Sequence, residues 1–430
     1  MNKVAKSRQR RVRRVWIRQL LLMLSVIGPG LITANVDNDA TGITGYSLAG
    51  ANYGYGLLWA VVLVTISLAV VQEMVARMGV VTGKGLADLI REKFGVRITF
   101  WSMLLLLIAN AATTVAEFAG VSSSMSIFGV SPFISVPLAA ILVWVLVVRG
   151  SYRYVERILL GLCLIYFSYV FSAIIIHPNW GQVLHDTLIP QIQFNQAYLL
   201  TLVAVIGTTI APWMQFYQQS AIADKQIKVA HLRYERIDTY VGAFLTDFIA
   251  FFIVVCTGAT LYVYHIPMNQ ASDAALALVP LAHGNGQLAE ILFGVGLLNA
   301  SLMAASVLPL STAYSISEAF GWERGIGRTF KEAPQFFFLY TLVIVVGAGV
   351  TLFVPSDRLV FVLNLPNVVG GMLLPLILVL MIILCNDRRL LGRYVNGHVR
   401  NWIAWITTIV MTILTLLIIL TTLFPGLFGG

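Results

Sequence analysis

Residues 28–42 read GPGLITANVDNDATG, and they interrupt an apolar run that begins near Leu20 and resumes at Ile43. Two carboxylates (Asp37, Asp39), two asparagines, two threonines and three glycines stand where a membrane span holds apolar side chains. A carboxylate at that depth costs several kcal/mol unless it is paired, faces water or binds an ion, so it marks a functional site. Gly28, Pro29 and Gly30 weaken the helix and would free backbone carbonyls. Unwound backbone is tolerated there only inside protein or along a water-filled cavity.

The chain around this stretch is built for lipid. Its 430 residues are 58% hydrophobic and 11% charged, with mean hydropathy +0.85. Eleven apolar runs are expected to cross the roughly 30 Å hydrocarbon layer as helices. They cover 20–45, 54–76, 98–122, 132–148, 158–176, 197–220, 238–264, 287–317, 334–354, 359–385 and 402–424. The fold class is therefore an all-α polytopic membrane protein.

The net charge of +9 points to topology and not to nucleic acid. With residues 1–19 as a basic cytoplasmic tail, 27 of the 28 Lys and Arg fall in cytoplasmic segments, and Arg358 alone lies outside. An odd number of spans then places the C-terminus outside a cell membrane. The stretch RQRRVRRVWIRQLLLML lacks a small-residue cleavage site, so it reads as a retained tail. Cys163, Cys256 and Cys385 lie in or beside apolar spans and imply no disulfide framework.

A second break lies in span six, AVIGTTIAPWMQFYQQSAIADK, residues 204–225. Pro212 removes a backbone donor and pushes Ala211 out of α geometry. Gly207, Thr208 and Thr209 precede it, and Gln215, Gln218 and Gln219 share one helical face beyond it. Interrupted helices at corresponding positions of two halves point to a midplane binding site in an inverted-repeat transporter. The expected halves are 20–176 and 197–385, five spans each, with 402–424 as an added eleventh helix.

Other polar residues have plainer readings. Glu73 and Arg77 form a helix-end ion pair at i,i+4. Asp238 pairs with Arg233 and Arg236 at the cytoplasmic boundary, while Asp247 lies deeper. Glu117 is either a buried, hydrogen-bonded acid or a vestibule carboxylate. Spans four and five are scaffold, and His177 and His185 are solvated in an outer loop. The small and hydroxyl residues of span eight serve close helix packing. In span ten, FVLNLPNVVGGMLLP marks a further irregular stretch that offers amide or backbone oxygen to the centre.

If the two breaks face each other, the pocket holds Asp39, the amides Gln215 and Asn367, the hydroxyls Thr41 and Thr208, and freed carbonyls. This set is oxygen-rich and anionic, which suits hard cations such as Mg²⁺, Mn²⁺ and Ca²⁺. It offers no anchor for both ends of an amino acid. No nucleophile motif or histidine cluster points to an enzyme, and no cofactor is implied.

At these residues the sequence resembles the Nramp divalent-metal transporters. GPGLITANVDNDATG, AGANYGYGLLW, VTGKGLADLIREKFG, AEFAG, RYERIDT and DRRLLG carry the likeness in order, over roughly residues 25–395. It implies a LeuT-type 5+5 inverted repeat, with helices 1 and 6 broken at the midplane and the metal between them. The family's Asp-Pro-Gly-Asn falls on Asp39-Ala40-Thr41-Gly42, and its Met-Pro-His on Ala211-Pro212-Trp213. Its third-span aspartate falls on Thr114, its glutamate on Glu117, and a metal-reaching glutamine on Asn367. The implied metal set is Val36, Asp39, Gly42, Thr208, Ala211, Gln215 and Asn367. Asp37, Asn38, Thr41, Glu117, Pro212, Trp213 and Gln218 are assigned to the vestibule or gate.

The lost asparagine, methionine and histidine make the pattern similar to the Nramp-related magnesium transporters, described as uncoupled. The expectation is a monomeric importer in the lipid bilayer, carrying Mg²⁺ and Mn²⁺ as largely hydrated ions without proton coupling. The alternatives are a proton-coupled Mn²⁺/Fe²⁺ symporter using Asp37, Asp39 and Glu117, and a sodium-coupled organic-solute symporter.

Overall fold

The computed structural model describes residues 29–149, 161 and 163–423. The basic tail and the start of the first span lie outside the described residues. The first span is split into α1 (Pro29–Asp37) and α2 (Ala40–Tyr53). Then follow α3 (Leu58–Thr82), α4 (Leu86–Ile127), α5 (Pro132–Val148), α6 (Phe167–Ile176) and the outer-loop helix α7 (Trp180–Leu188). The sixth span is split into α8 (Gln196–Thr209) and α9 (Pro212–Asp224). The remaining spans are α10 (Leu232–Thr257), α11 (Gly286–Phe320), α12 (Pro334–Thr351), α13 (Leu359–Cys385) and α14 (His398–Leu423). Among the described residues eight helices are long and apolar enough to cross a membrane by themselves. The three other expected spans fall on the split first span, the shorter α5 and the 163–176 segment, the first and the last of them partly outside the described residues.

Each break has a local cause. In the first span it falls at Asn38–Asp39. Asp39 has extended backbone (φ −73°, ψ −174°) and caps α2 by accepting the Gly42 N–H. Aspartate is among the strongest N-capping residues, so the carboxylate that marks the site also starts the second half-helix. In the sixth span Ala211 is extended (φ −65°, ψ 136°) and Pro212 opens α9, as expected from its ring.

Span ten departs from expectation. It is one helix from Leu359 to Cys385, with Pro366 and Pro375 inside it. Proline is tolerated in membrane helices when neighbouring helices re-satisfy the backbone, and here α8 packs tightly against α13. A Cβ on Gly207 would sit 2.1 Å from the Asn367 carbonyl oxygen, and one on Gly371 would sit 2.7 Å from that of Val203. Gly207→Ala is therefore expected to lower stability by about 1–3 kcal/mol through overpacking, read as an earlier thermal unfolding in detergent. A variant that melts like wild type would mean that the two backbones can separate freely.

The loops hold more helix than the sequence indicated. α4 begins at Leu86, well before the expected span, and bends at Gly95, whose φ of 80° only glycine adopts readily. α2 continues to Tyr53, beyond the expected end of the first span at residue 45.

Burial separates the centre from the periphery. The α8–α9 segment is 83% buried over its most apolar window, against 33% for α14. Phe133, Leu138 and Trp402 turn outward, a surface that suits lipid.

The basic end of the bundle is tied by long-range charge contacts. Glu73, fully buried, pairs with Arg77 (3.3 Å), Arg236 (2.8 Å) and Arg400 (3.3 Å). Arg236 is thus spent on Glu73, and Asp238 instead accepts the Gly30 N–H (2.8 Å).

Candidate metal site

The two breaks face each other. A small cavity between them, about 20 Å³ open to the centre of a water-sized sphere, is lined by Asp39, Thr41, Thr208, Ala211, Pro212, Trp213 and Asn367. That volume is enough for one ion or one water. Seven residues singled out in the sequence, from three separate spans, thus meet at one point.

Asp39 dominates it. Its Oδ1 accepts from the Thr41 hydroxyl (2.7 Å) and from the Gly42 N–H (2.7 Å). These bonds fix the carboxylate at the N-terminus of α2, where the helix dipole favours negative charge. The Asn367 amide nitrogen donates to the Thr41 carbonyl (2.9 Å), so α13 supports the break. Tyr46 and Thr209 join the two broken helices through their hydroxyls (2.8 Å).

Asn110 and Thr113 of α4 also line the cavity and were not anticipated. The Asn110 amide nitrogen is held by the Thr312 hydroxyl (2.9 Å), which leaves its oxygen as the free end. A signal existed in the sequence: 110, 113 and 117 lie on one helical face.

The remaining assignments fall elsewhere. Glu117 is fully buried and accepts the Ala40 N–H (3.2 Å) beside Asp39. Its burial accords with the first of its two readings. Asp37 and Asn38 turn toward Thr246 of α10 (3.4 Å and 2.8 Å). Gln218 donates to Thr239 (3.1 Å) and Gln219 to the Lys84 carbonyl (2.9 Å), so both bridge helices. Gln215 reaches back to the Ala211 carbonyl (3.5 Å), and its oxygen has no partner. Val36 is buried outside the cavity lining.

Gly42 contributes its backbone, and the break leaves no room for more. A Cβ there would meet the Asp37 carbonyl oxygen at 2.4 Å and the Thr208 hydroxyl at 3.4 Å. Gly42→Asn, which restores the residue of the resembling family, is expected to destabilise the protein and lower metal uptake. Proteoliposome uptake at or above the wild-type rate would show that the site has space for that ligand.

Chemically the site offers one carboxylate in the cavity, a second beside it, hydroxyls and amide oxygens. Among the described residues no three His, Cys, Asp or Glu converge. This donor set is all oxygen and suits carboxylate-binding, carbonyl-binding and water-binding metals.

A family model described as natural resistance-associated macrophage protein-like (Nramp) matches residues 30–421. A divalent metal cation transporter, MntH, from Ralstonia nicotianae is 28% identical over 407 residues, covering 89% of this chain and 88% of that protein. The crystal structure of the Eremococcus coleocola manganese transporter matches with a TM-score of 0.74 at 22% identity, covering 95% of this chain and 88% of that one. Mhp1, a nucleobase-cation-symport-1 family transporter, matches with a TM-score of 0.54 at 16% identity, over 93% and 92% of the two chains. The fold is the LeuT-type inverted repeat with broken helices 1 and 6.

Proposed function

Because the chain belongs to the Nramp family, we propose that it carries a divalent metal cation across the membrane, held at Asp39 between the two breaks. It is a carrier, not an enzyme, and the metal is its cargo, not a cofactor. The observation that supports this most directly is the cavity that joins Asp39 to Thr208, Ala211 and Asn367 across three spans.

Mn²⁺ and Mg²⁺ are the proposed cargo. The relatives named for divalent metal and manganese transport support Mn²⁺. The donor set supports both ions, because carboxylate, hydroxyl and amide oxygens suit Mg²⁺ and Mn²⁺ alike. Among the described residues no sulfur or imidazole lines the cavity, since Ala211 and Trp213 stand where the family motif has methionine and histidine. Hydrated Mg²⁺ needs only one or two carboxylates, and Asp39 with Glu117 nearby supplies that number.

Import is the direction that a negative-inside potential favours, with the basic end read as cytoplasmic. The membrane potential contributes about 2.3 kcal/mol per charge per 100 mV, enough to draw in a divalent ion without a co-transported proton. Thr114 stands at the family's third-span aspartate and donates to the Asn110 carbonyl (2.7 Å). A second reading, proton symport of Mn²⁺, is favoured by Glu117 lying directly beside Asp39.

Proteoliposomes loaded with a metal-sensitive dye and a pH dye separate these readings. Mn²⁺ and Mg²⁺ entry without acidification is the expected result. Mn²⁺ entry with acidification and no Mg²⁺ flux would establish the proton symporter. No entry of either metal would overturn the carrier assignment.

A further inference from the structure

We infer that Asp37, Asn38 and Asp247 form a second divalent-cation site, on the α10 side of the first break. The inference rests on the cation-carrier reading above but uses a separate set of residues. Asp37 and Asp247 are each 2% exposed and Asn38 is 1% exposed. Asp37 and Asn38 both bond Thr246, the residue next to Asp247 on α10. The ion pairs of the described residues lie elsewhere, so neither carboxylate is neutralised by a side chain.

The hydrogen bonds give the cluster its direction. The Thr246 hydroxyl donates to Asp37 Oδ2 (3.4 Å) and accepts from Asn38 Nδ2 (2.8 Å). Asn38 Nδ2 also donates to the Thr246 carbonyl (3.2 Å). A carbonyl only accepts, so this contact fixes which end of the Asn38 amide is nitrogen. Asn38 Oδ1 is then an acceptor held within the cluster.

It has no donor. Neither do Asp37 Oδ1 and both carboxylate oxygens of Asp247. Thr65, beside Asp247, directs its hydroxyl to the Val61 carbonyl (2.8 Å). Asp37 Oδ1 and Asn38 Oδ1 beside Thr246, and the two oxygens of Asp247, the next residue along α10, are thus buried without a proton donor, an arrangement that is costly unless an ion fills it. Oxygen-only ligands select a hard cation, and two carboxylates balance a divalent charge.

Asp37 and Asp39 flank the same break and face different helices. A second station there would let an arriving ion loosen the one at Asp39, since passage needs sites that bind weakly or in multiples.

The test counts Mn²⁺ bound per chain by equilibrium dialysis of the purified full-length protein in sodium-free choline buffer. Two ions are expected for wild type, one for Asp247→Asn, one for Asp39→Asn and none for the double variant. Asp247→Glu should return the count to two, which separates ligand loss from a folding defect. A wild-type count of one, lost in Asp39→Asn and kept in Asp247→Asn, would overturn the second site and leave the proposed function intact. A single ion lost only in Asp247→Asn would support this site and overturn the Asp39 reading. If sodium chloride lowers the wild-type count to one and leaves Asp247→Asn unchanged, the site is monovalent and the divalent assignment fails.

Discussion

Asp39→Asn is expected to reduce metal uptake into proteoliposomes to the level of protein-free vesicles while leaving the fold intact. Among the described residues Asp39 is the only carboxylate lining the cavity, and its Oδ1 is fixed by Thr41 and Gly42. Removing a buried charge that pairs with an ion costs about 2–5 kcal/mol, or roughly 30-fold to 5,000-fold in affinity. Asparagine caps a helix about as well as aspartate, so this variant removes the charge and keeps the start of α2. Asp39→Ala loses both, and its thermal unfolding should come earlier by the further ~1 kcal/mol of a lost cap. The pair of variants thus separates the two roles of one side chain. Wild-type uptake by Asp39→Asn would remove the site from this break altogether.

The second large effect lies far from the metal. Glu73→Ala should destabilise the protein by roughly 3–5 kcal/mol, the cost of leaving a buried partner charge unpaired. Arg77 carries most of that cost because its side chain is fully buried. Arg236 and Arg400 are 32% and 31% exposed, so water screens them and they add little. Arg77 also donates to the Tyr394 carbonyl and to Asn396, so α3, α10, the 394–396 segment and the start of α14 are joined through one acid. Thermal unfolding in detergent should show a fall of several degrees for Glu73→Ala and a smaller one for Glu73→Gln, which keeps an acceptor. Equal melting of all three proteins would mean that these charges are solvated and do not hold the basic end together.

Glu73 also shows where sequence reading stops. The i,i+4 spacing to Arg77 was visible and the pair forms. The two other arginines come from helices that periodicity cannot place beside it. The same holds for Asp238, whose near neighbour Arg236 is taken by Glu73 while its own partner is Gly30, 208 residues away. Span ten misled in the opposite way. Two prolines and a Gly-Gly pair predict irregular backbone, but α8 packs so closely on Gly371 that the helix runs through.

By itself the sequence determined the all-helical membrane fold and both breaks, and it pointed to an oxygen-donor site. These follow from local physics: apolar length set against bilayer thickness, and a carboxylate or proline acting on its own backbone. Only the tertiary structure decided which polar groups meet. Asp37 and Asp39 are two residues apart, yet across a broken helix one turns to α10 and the other to the cavity. Asn110 and Asn367 arrive from other helices, the latter bonded to Thr41 across 326 residues. A buried amide or acid takes whichever partner the packed helices bring within about 3 Å, and that distance is a property of the fold.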